Sequence, residues 1–163
     1  MRFKSLRFGP LTLDLELGGG DVLLAVHLPA SPPQGADPRY YQDALFELAA
    51  VPLPAPESIQ QEAFWRELSA IPVGSTCAYG ELAKALNTAP RGVASRCASN
   101  RLLLRLPCHR VVGKRGMGGF RAGLAWKRRL LDWERRLAGS PAHFGCSTLR
   151  NTGMIEECPE FVY

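Results

Sequence analysis

Between Leu11 and Leu17 apolar and polar side chains alternate with period two, Leu11, Leu13, Leu15 and Leu17 against Thr12, Asp14 and Glu16, which predicts a half-buried strand. Gly18-Gly19-Gly20-Asp21 reads as a turn. Val22 to Leu28 is the return strand, more fully buried by its content, so residues 1–29 read as β structure. A loop rich in Pro, Gly and Ser covers 30–38, and a helix is expected over 39–50. Pro52, Pro54 and Pro56 favour extended backbone and mark the expected domain boundary. From Glu57 the period lengthens: Ile59, Ala63, Phe64 and Leu68 recur at helical spacing, with Trp65 beside them, until Pro72 and Gly74 end the helix.

Two short helices follow, over 79–87 and 91–99, joined by Asn87-Thr88-Ala89-Pro90. Leu82, Ala83 and Leu86 share one face of the first; Val93, Ala94, Cys97 and Ala98 share one face of the second. The pair is a helix-turn-helix candidate, with Arg91, Arg96 and Arg101 on or beside its second helix. Leu102 to Leu106 is a short apolar run, expected as strand or buried extended chain that delivers Pro107-Cys108 to the interior. A glycine-rich basic loop spans Gly113 to Gly123 and carries Lys114, Arg115 and Arg121. The last helix covers 124–138, with Leu124, Leu130, Leu131 and Leu137 apolar and Lys127, Arg128, Arg129, Arg135 and Arg136 on its polar face.

The formal net charge of +5 conceals a division along the chain. Residues 1–60 carry four basic and seven acidic side chains, residues 61–139 fifteen basic and five acidic, and residues 140–163 a net of −2. Twelve of those fifteen cations are Arg, whose planar fork suits phosphate, so the middle block points to a polyanion, nucleic acid above all. Five cysteines with no CxxC pair argue against a disulfide framework and against a zinc site of the usual spacing. His27, His109 and His143 are scattered, and neither metal nor cofactor is expected. No run of eighteen apolar residues exists, and Met1-Arg2-Phe3-Lys4 lacks the apolar core of a secretory signal; the expectation is a cytoplasmic protein without a membrane partner.

Leu106-Pro107-Cys108-His109-Arg110-Val111 joins a thiol to an imidazole in apolar surroundings. A thiol attacks as its thiolate and needs a base or a positive field, which His109 can supply. If the segment is extended, adjacent side chains point to opposite sides, and a water bridging Cys108 and His109 fits better than a direct bond.

In order, Ile71-Pro72-Val73-Gly74-Ser75-Thr76, Tyr79-Gly80-Glu81-Leu82-Ala83, Asn100 and Pro107-Cys108-His109-Arg110-Val111 resemble the O6-alkylguanine-DNA alkyltransferase family, over about residues 59–134. The resemblance implies an α/β + α fold: a ribonuclease-H-like α/β domain at 1–56, then a winged-helix/helix-turn-helix-like catalytic domain at 57–138. Residues 139–163 form a tail of unknown role. It implies a monomer that binds double-stranded DNA carrying O6-alkylguanine and moves the alkyl group irreversibly to Cys108, with O4-methylthymine left open as a second substrate. His109 and Glu134 then complete a relay, and Asn100 braces the active-site turn. Tyr79 bonds the extruded base and Arg91 fills the gap it leaves; Arg96 stands where the family has a small residue, and either impedes close minor-groove docking or adds a phosphate contact. The carbonyls of Cys108 and Val111 accept from the guanine amino group, and Phe120 and Arg121 form the binding loop, the Arg121 N–H facing O6. The rival readings are a non-catalytic binder of alkylated DNA, a helix-turn-helix regulator with a merely buried Cys108, and a Cys-His hydrolase.

Overall fold

The computed structural model describes residues 1–139. Strands β1 (Arg2–Phe8), β2 (Leu11–Leu17) and β3 (Leu23–His27) form an antiparallel sheet in that order. Leu11, Leu13, Leu15 and Leu17 all point inward, as the alternation requires, while β1 lies on an edge with most of its side chains exposed. The weak alternation of Arg2–Phe8 explains why β1 has no separate signature in the sequence. The expected turn after β2 is a single 3₁₀ turn at Gly19–Asp21.

Helix α1 (Pro38–Ala49) is capped by Asp37, whose carboxylate accepts from the Arg39 N–H at 2.9 Å. It buries Pro38, Tyr41, Ala44 and Leu48 against β1 and the last helix. Helix α2 (Ile59–Ala70) is capped by Ser58 and buries Phe64 and Leu68, while Ile59 stays exposed. Two-residue strands β4 (Cys77–Ala78) and β5 (Val111–Val112) pair in parallel. Helices α3 (Tyr79–Ala85) and α4 (Pro90–Ser99) pack through Leu82, Ala83, Val93 and Cys97. Ala94 and Ala98, expected on that buried face, are exposed instead. Helix α5 (Leu124–Ala138) buries Trp126, Leu130 and Trp133 completely.

The apolar run after α4 is neither strand nor extended chain. Residues 102–106 curl into tight turns, with Leu106 N–H donating to Leu102 O and Arg105 N–H to Leu103 O, both at 2.8 Å, and Leu104 at a φ of 66°. The physical reason lies two residues earlier: the Asn100 side chain accepts from Leu102 N–H at 3.0 Å and donates to Leu106 O at 3.1 Å, taking the place of a sheet partner. Leu102, Leu103, Leu104 and Leu106 are nonetheless buried, so the run still carries Pro107-Cys108 inside. One apolar cluster continues from the sheet and α1 through α2 to α5. No described helix is long and apolar enough to cross a membrane. The tail, with His143, Cys146 and Cys158, lies outside the described residues apart from Gly139.

Candidate active site

Cys108, His109 and Arg110 form a single 3₁₀ turn, all three buried. The segment is therefore not extended, and the premise of opposite-facing neighbours does not hold. The Cys108 N–H donates to Leu106 O at 2.8 Å and the Arg110 N–H to Pro107 O at 3.0 Å, so the turn is held from its own backbone. Cys108 is 1% exposed, and its sulfur accepts from Asn100 Nδ2 at 3.0 Å. Burial pushes the thiol above its ordinary value; the Asn100 hydrogen bond and the nearby Lys127 cation pull against that rise by favouring the thiolate.

His109 is fully buried, and its Nε2–H donates to Glu134 Oε1 at 2.8 Å. Burial lowers the pKa of the imidazole although Glu134 raises it, so the ring is neutral and keeps its proton on Nε2, donated in a hydrogen bond to the ionised carboxylate. Nδ1 then carries the free lone pair and has no hydrogen-bond partner among the described residues. Glu134 is the hub. Its carboxylate accepts from Tyr41 Oη at 2.6 Å, from Arg110 Nε at 2.9 Å and from the Gly74 N–H at 3.1 Å. Burial alone would raise this carboxyl; His109 and Arg110 outweigh it and hold it far below the ordinary carboxylate range. Gly74 is required here, because at a φ of 81° an added Cβ would lie 2.7 Å from the Ala138 side chain.

A cavity of about 320 Å³ opens onto Cys108. Tyr79 lines it from the start of α3, and Ala94, Cys97 and Ala98 line it from α4. Gly119, Phe120 and Arg121 close it from the loop before α5. The small, exposed face of α4 is thus a wall of the cavity and not a packing surface. Phe120 meets the His109 ring edge to face at 6.1 Å. Tyr79 is half-buried, and burial pushes its hydroxyl up to about 12, keeping it a proton donor at neutral pH. Gly118 crosses its ring so closely that an added Cβ would sit 2.6 Å from Tyr79 Cε2.

The four residues expected at the reactive centre, Cys108, His109, Glu134 and Asn100, are brought together, and Tyr79, Phe120 and Arg121 join them at the cavity. Val111 is fully buried beside them, but its carbonyl already accepts from Lys127 Nζ at 2.6 Å. Arg91 is exposed at the first turn of α4. Arg96 turns away from the cavity: it donates to Gln60 O at 3.0 Å and lies 5.9 Å from the Phe64 ring, clipping α4 to α2.

Three functional side chains escape the sequence reading. Lys127, expected on the polar face of α5, is fully buried, and also donates to Gly119 O at 3.0 Å. Burial lowers its pKa to about 8. The signal was available, since Lys127, Leu130 and Glu134 fall at i, i+3 and i+7 on one stripe. Tyr41 shares the buried stripe of α1 with Pro38, Ala44 and Leu48. Arg110 had no separable signal in a run of apolar and reactive residues.

The geometry gives a buried thiol, a neutral imidazole fixed by a carboxylate, and a cavity beside a helix pair. Residues 60–136 match the model of the 6-O-methylguanine DNA methyltransferase DNA binding domain. A methylated-DNA--protein-cysteine methyltransferase of Methanopyrus kandleri is 51% identical over 67 residues, 41% of this chain and 51% of that protein. One of Metallosphaera sedula is 31% identical over 104 residues, 64% of this chain and 67% of that protein. The match to the first of these spans about half of that relative's length. In fold, the crystal structure of Mycobacterium tuberculosis OGT in complex with DNA superposes with a TM-score of 0.65 at 24% identity, over 83% of this chain and 94% of that one.

Proposed function

The chain belongs to the 6-O-methylguanine DNA methyltransferase family, and on that premise we propose that it repairs DNA by moving the methyl group of O6-methylguanine onto its own Cys108. The observation that carries this reading is the Asn100-bonded sulfur of Cys108 at the floor of the cavity, beside an imidazole whose Nε2 proton is committed to Glu134.

The reaction is an in-line displacement. The Cys108 proton goes to Nδ1 of His109 across a bridging water, and the thiolate forms a bond to the methyl carbon as the carbon–O6 bond breaks. The electron pair stays on the guanine, to which the Tyr79 hydroxyl donates a hydrogen bond, and the proton held by His109 passes through solvent to the guanine, so the thiol proton ends on the released base. Fixing Nε2–H on Glu134 leaves Nδ1 as the acceptor, and the rising imidazolium charge is stabilised by the buried carboxylate. Lys127 and Asn100 favour the sulfur anion, offsetting its burial. The thioether holds no bond that water cleaves readily, so each molecule acts once.

The lesion lies inside a stacked duplex, and a base must leave the stack to reach the sulfur of Cys108, a residue 1% exposed. Ala94 and Ala98 leave room on α4 for the backbone to approach DNA, and Arg91 stands at its exposed start to fill the gap. Phe120 and Arg121 close over the base. Arg96, occupied by Gln60 and Phe64, is assigned to bracing α4 and not to phosphate. The antiparallel sheet with α1 supports a ribonuclease-H-like division at 1–56, and α3–α4 with β4–β5 supports a winged-helix-like one at 57–138.

The test is to mix the protein with duplex DNA labelled in the O6-methyl group and follow the label over time. The expected result is a single burst that ends at one label per protein molecule. Binding without transfer would point to a reader of alkylated DNA, and repeated turnover would refute single use.

A further inference from the structure

A short line of bonds connects the N-terminal sheet to the reactive sulfur, and the proposed reaction uses only its last link, the Asn100 bond to Cys108. Glu16 sits where the pairing of β2 with β3 shifts register between Glu16 and Leu17, and is only 7% exposed, unlike the outward-facing Asp14. Its carboxylate accepts from Arg101 NH2 at 2.9 Å, with His27 Nε2 at 3.5 Å from the same oxygen. The Arg101 carbonyl accepts from the Val26 N–H of β3 at 2.8 Å. Residue 101 is thus tied to the sheet by both its main chain and its side chain.

The preceding residue is Asn100, joined to it by a planar peptide unit that passes on any displacement. Asn100 spends its side chain on three bonds: to Leu106 O, from Leu102 N–H, and to Cys108 Sγ at 3.0 Å. The sulfur bond is the only one of the three whose strength changes with chemistry, because a thiolate accepts more strongly than a thiol. Its geometry depends on where residue 100 is held.

We propose that Arg101 is a positioning residue: anchored on Glu16 and on the edge of β3, it sets the Asn100 amide against the Cys108 sulfur and so tunes how readily that sulfur ionises. Arg101 looks from the sequence like one more cation of a DNA-facing helix, but its guanidinium is engaged on the sheet. The sheet thereby contributes to reactivity without touching substrate. The inference rests on Cys108 being the reacting atom, and not on DNA being its substrate.

The test uses a small electrophile, iodoacetamide, on the full chain, with alkylation of the Cys108 peptide followed by mass spectrometry across a range of pH. In Arg101→Ala the midpoint of the pH–rate curve moves upward, and the rate at neutral pH falls by roughly tenfold, the order expected when a hydrogen bond to an ionised group is loosened. Arg101→Lys falls between that variant and the parent, and the exchanged pair Glu16→Arg with Arg101→Glu restores the midpoint. A merely structural clip would behave differently: Arg101→Ala would lower the melting temperature and leave the Cys108 midpoint where it was. That result, or an exchanged pair no better than Arg101→Ala, overturns the proposal. Because no DNA is used, a protein that fails to take methyl from a lesion leaves this outcome readable on its own.

Discussion

In the proposed reaction Cys108 and His109 carry the chemistry, yet neither is set up for it by its own type. Burial raises the thiol and lowers the imidazole, and two buried charges, Lys127 for the first and Glu134 for the second, pull the other way. Replacing Lys127 by Met removes the cation that favours the sulfur anion while keeping much of the side chain's volume. The expected outcome is slower alkylation of Cys108 and an upward move of its pH midpoint; an unchanged midpoint in a folded protein would exclude the electrostatic role. Glu134→Gln leaves Arg110 buried without its counter-charge, which costs about 3–5 kcal/mol for pairs of this kind. Urea denaturation measures that loss, and a change below about 1 kcal/mol would mean that the hub is not a stabilising element. The Cys–His pair was legible because both residues lie together in the sequence. Lys127 was not, because Arg and Lys dominate α5 and only its place on the Trp126–Leu130 side distinguishes it. Arg96 was misleading for the opposite reason: a cation on the second helix of the helix-turn-helix candidate is spent on Gln60 and Phe64.

At the scale of elements, α4 divides its labour by face. Val93 and Cys97 hold it to the core, while Ala94 and Ala98 expose a smooth wall with Arg91 at its start. If Arg91 serves extrusion, Arg91→Ala slows transfer from duplex DNA far more than from the free alkylated base, since only the duplex must be opened. Equal slowing on the two substrates would contradict that role. Periodicity located α5 at its true bounds and α1 and α4 within a residue, because their apolar stripes are continuous, and placed α2 about two residues wide at its start. It failed at 102–106, where burial is produced by turns and the backbone partner is a side chain, Asn100, that no hydrophobic pattern reveals. β1 falls inside the expected β span of 1–29 but has no alternation of its own, since an edge strand with one sparse apolar face leaves little trace.

Across the whole molecule, the site gathers residues far apart in the chain. Tyr41 on α1, Gly74 after α2 and Glu134 on α5 meet through one carboxylate, so the acid stability of the fold and the state of the active site are coupled. The sign follows from two groups. Glu134 is held well below its ordinary 4.5, so its contribution is present above that value and fades as pH falls beneath it. Burial holds His109 below its ordinary 6.5, so the unfolded chain takes up that proton first and stability begins to fall near 6.5. Urea midpoints are therefore expected to drop steadily from about pH 6.5 downward, and His109→Asn should flatten the upper part of that decline. A parent midpoint that stays level to about pH 5 would contradict the buried, neutral assignment of His109.

The most direct measurement is the mass of the Cys108 peptide after the intact protein meets an oligonucleotide duplex bearing one O6-methylguanine. The account requires one added methyl on that sulfur, in proportion to lesion supplied, and none in Cys108→Ala mixed with the same duplex. A Cys108 peptide of unaltered mass, with the lesion still in the DNA, would contradict it.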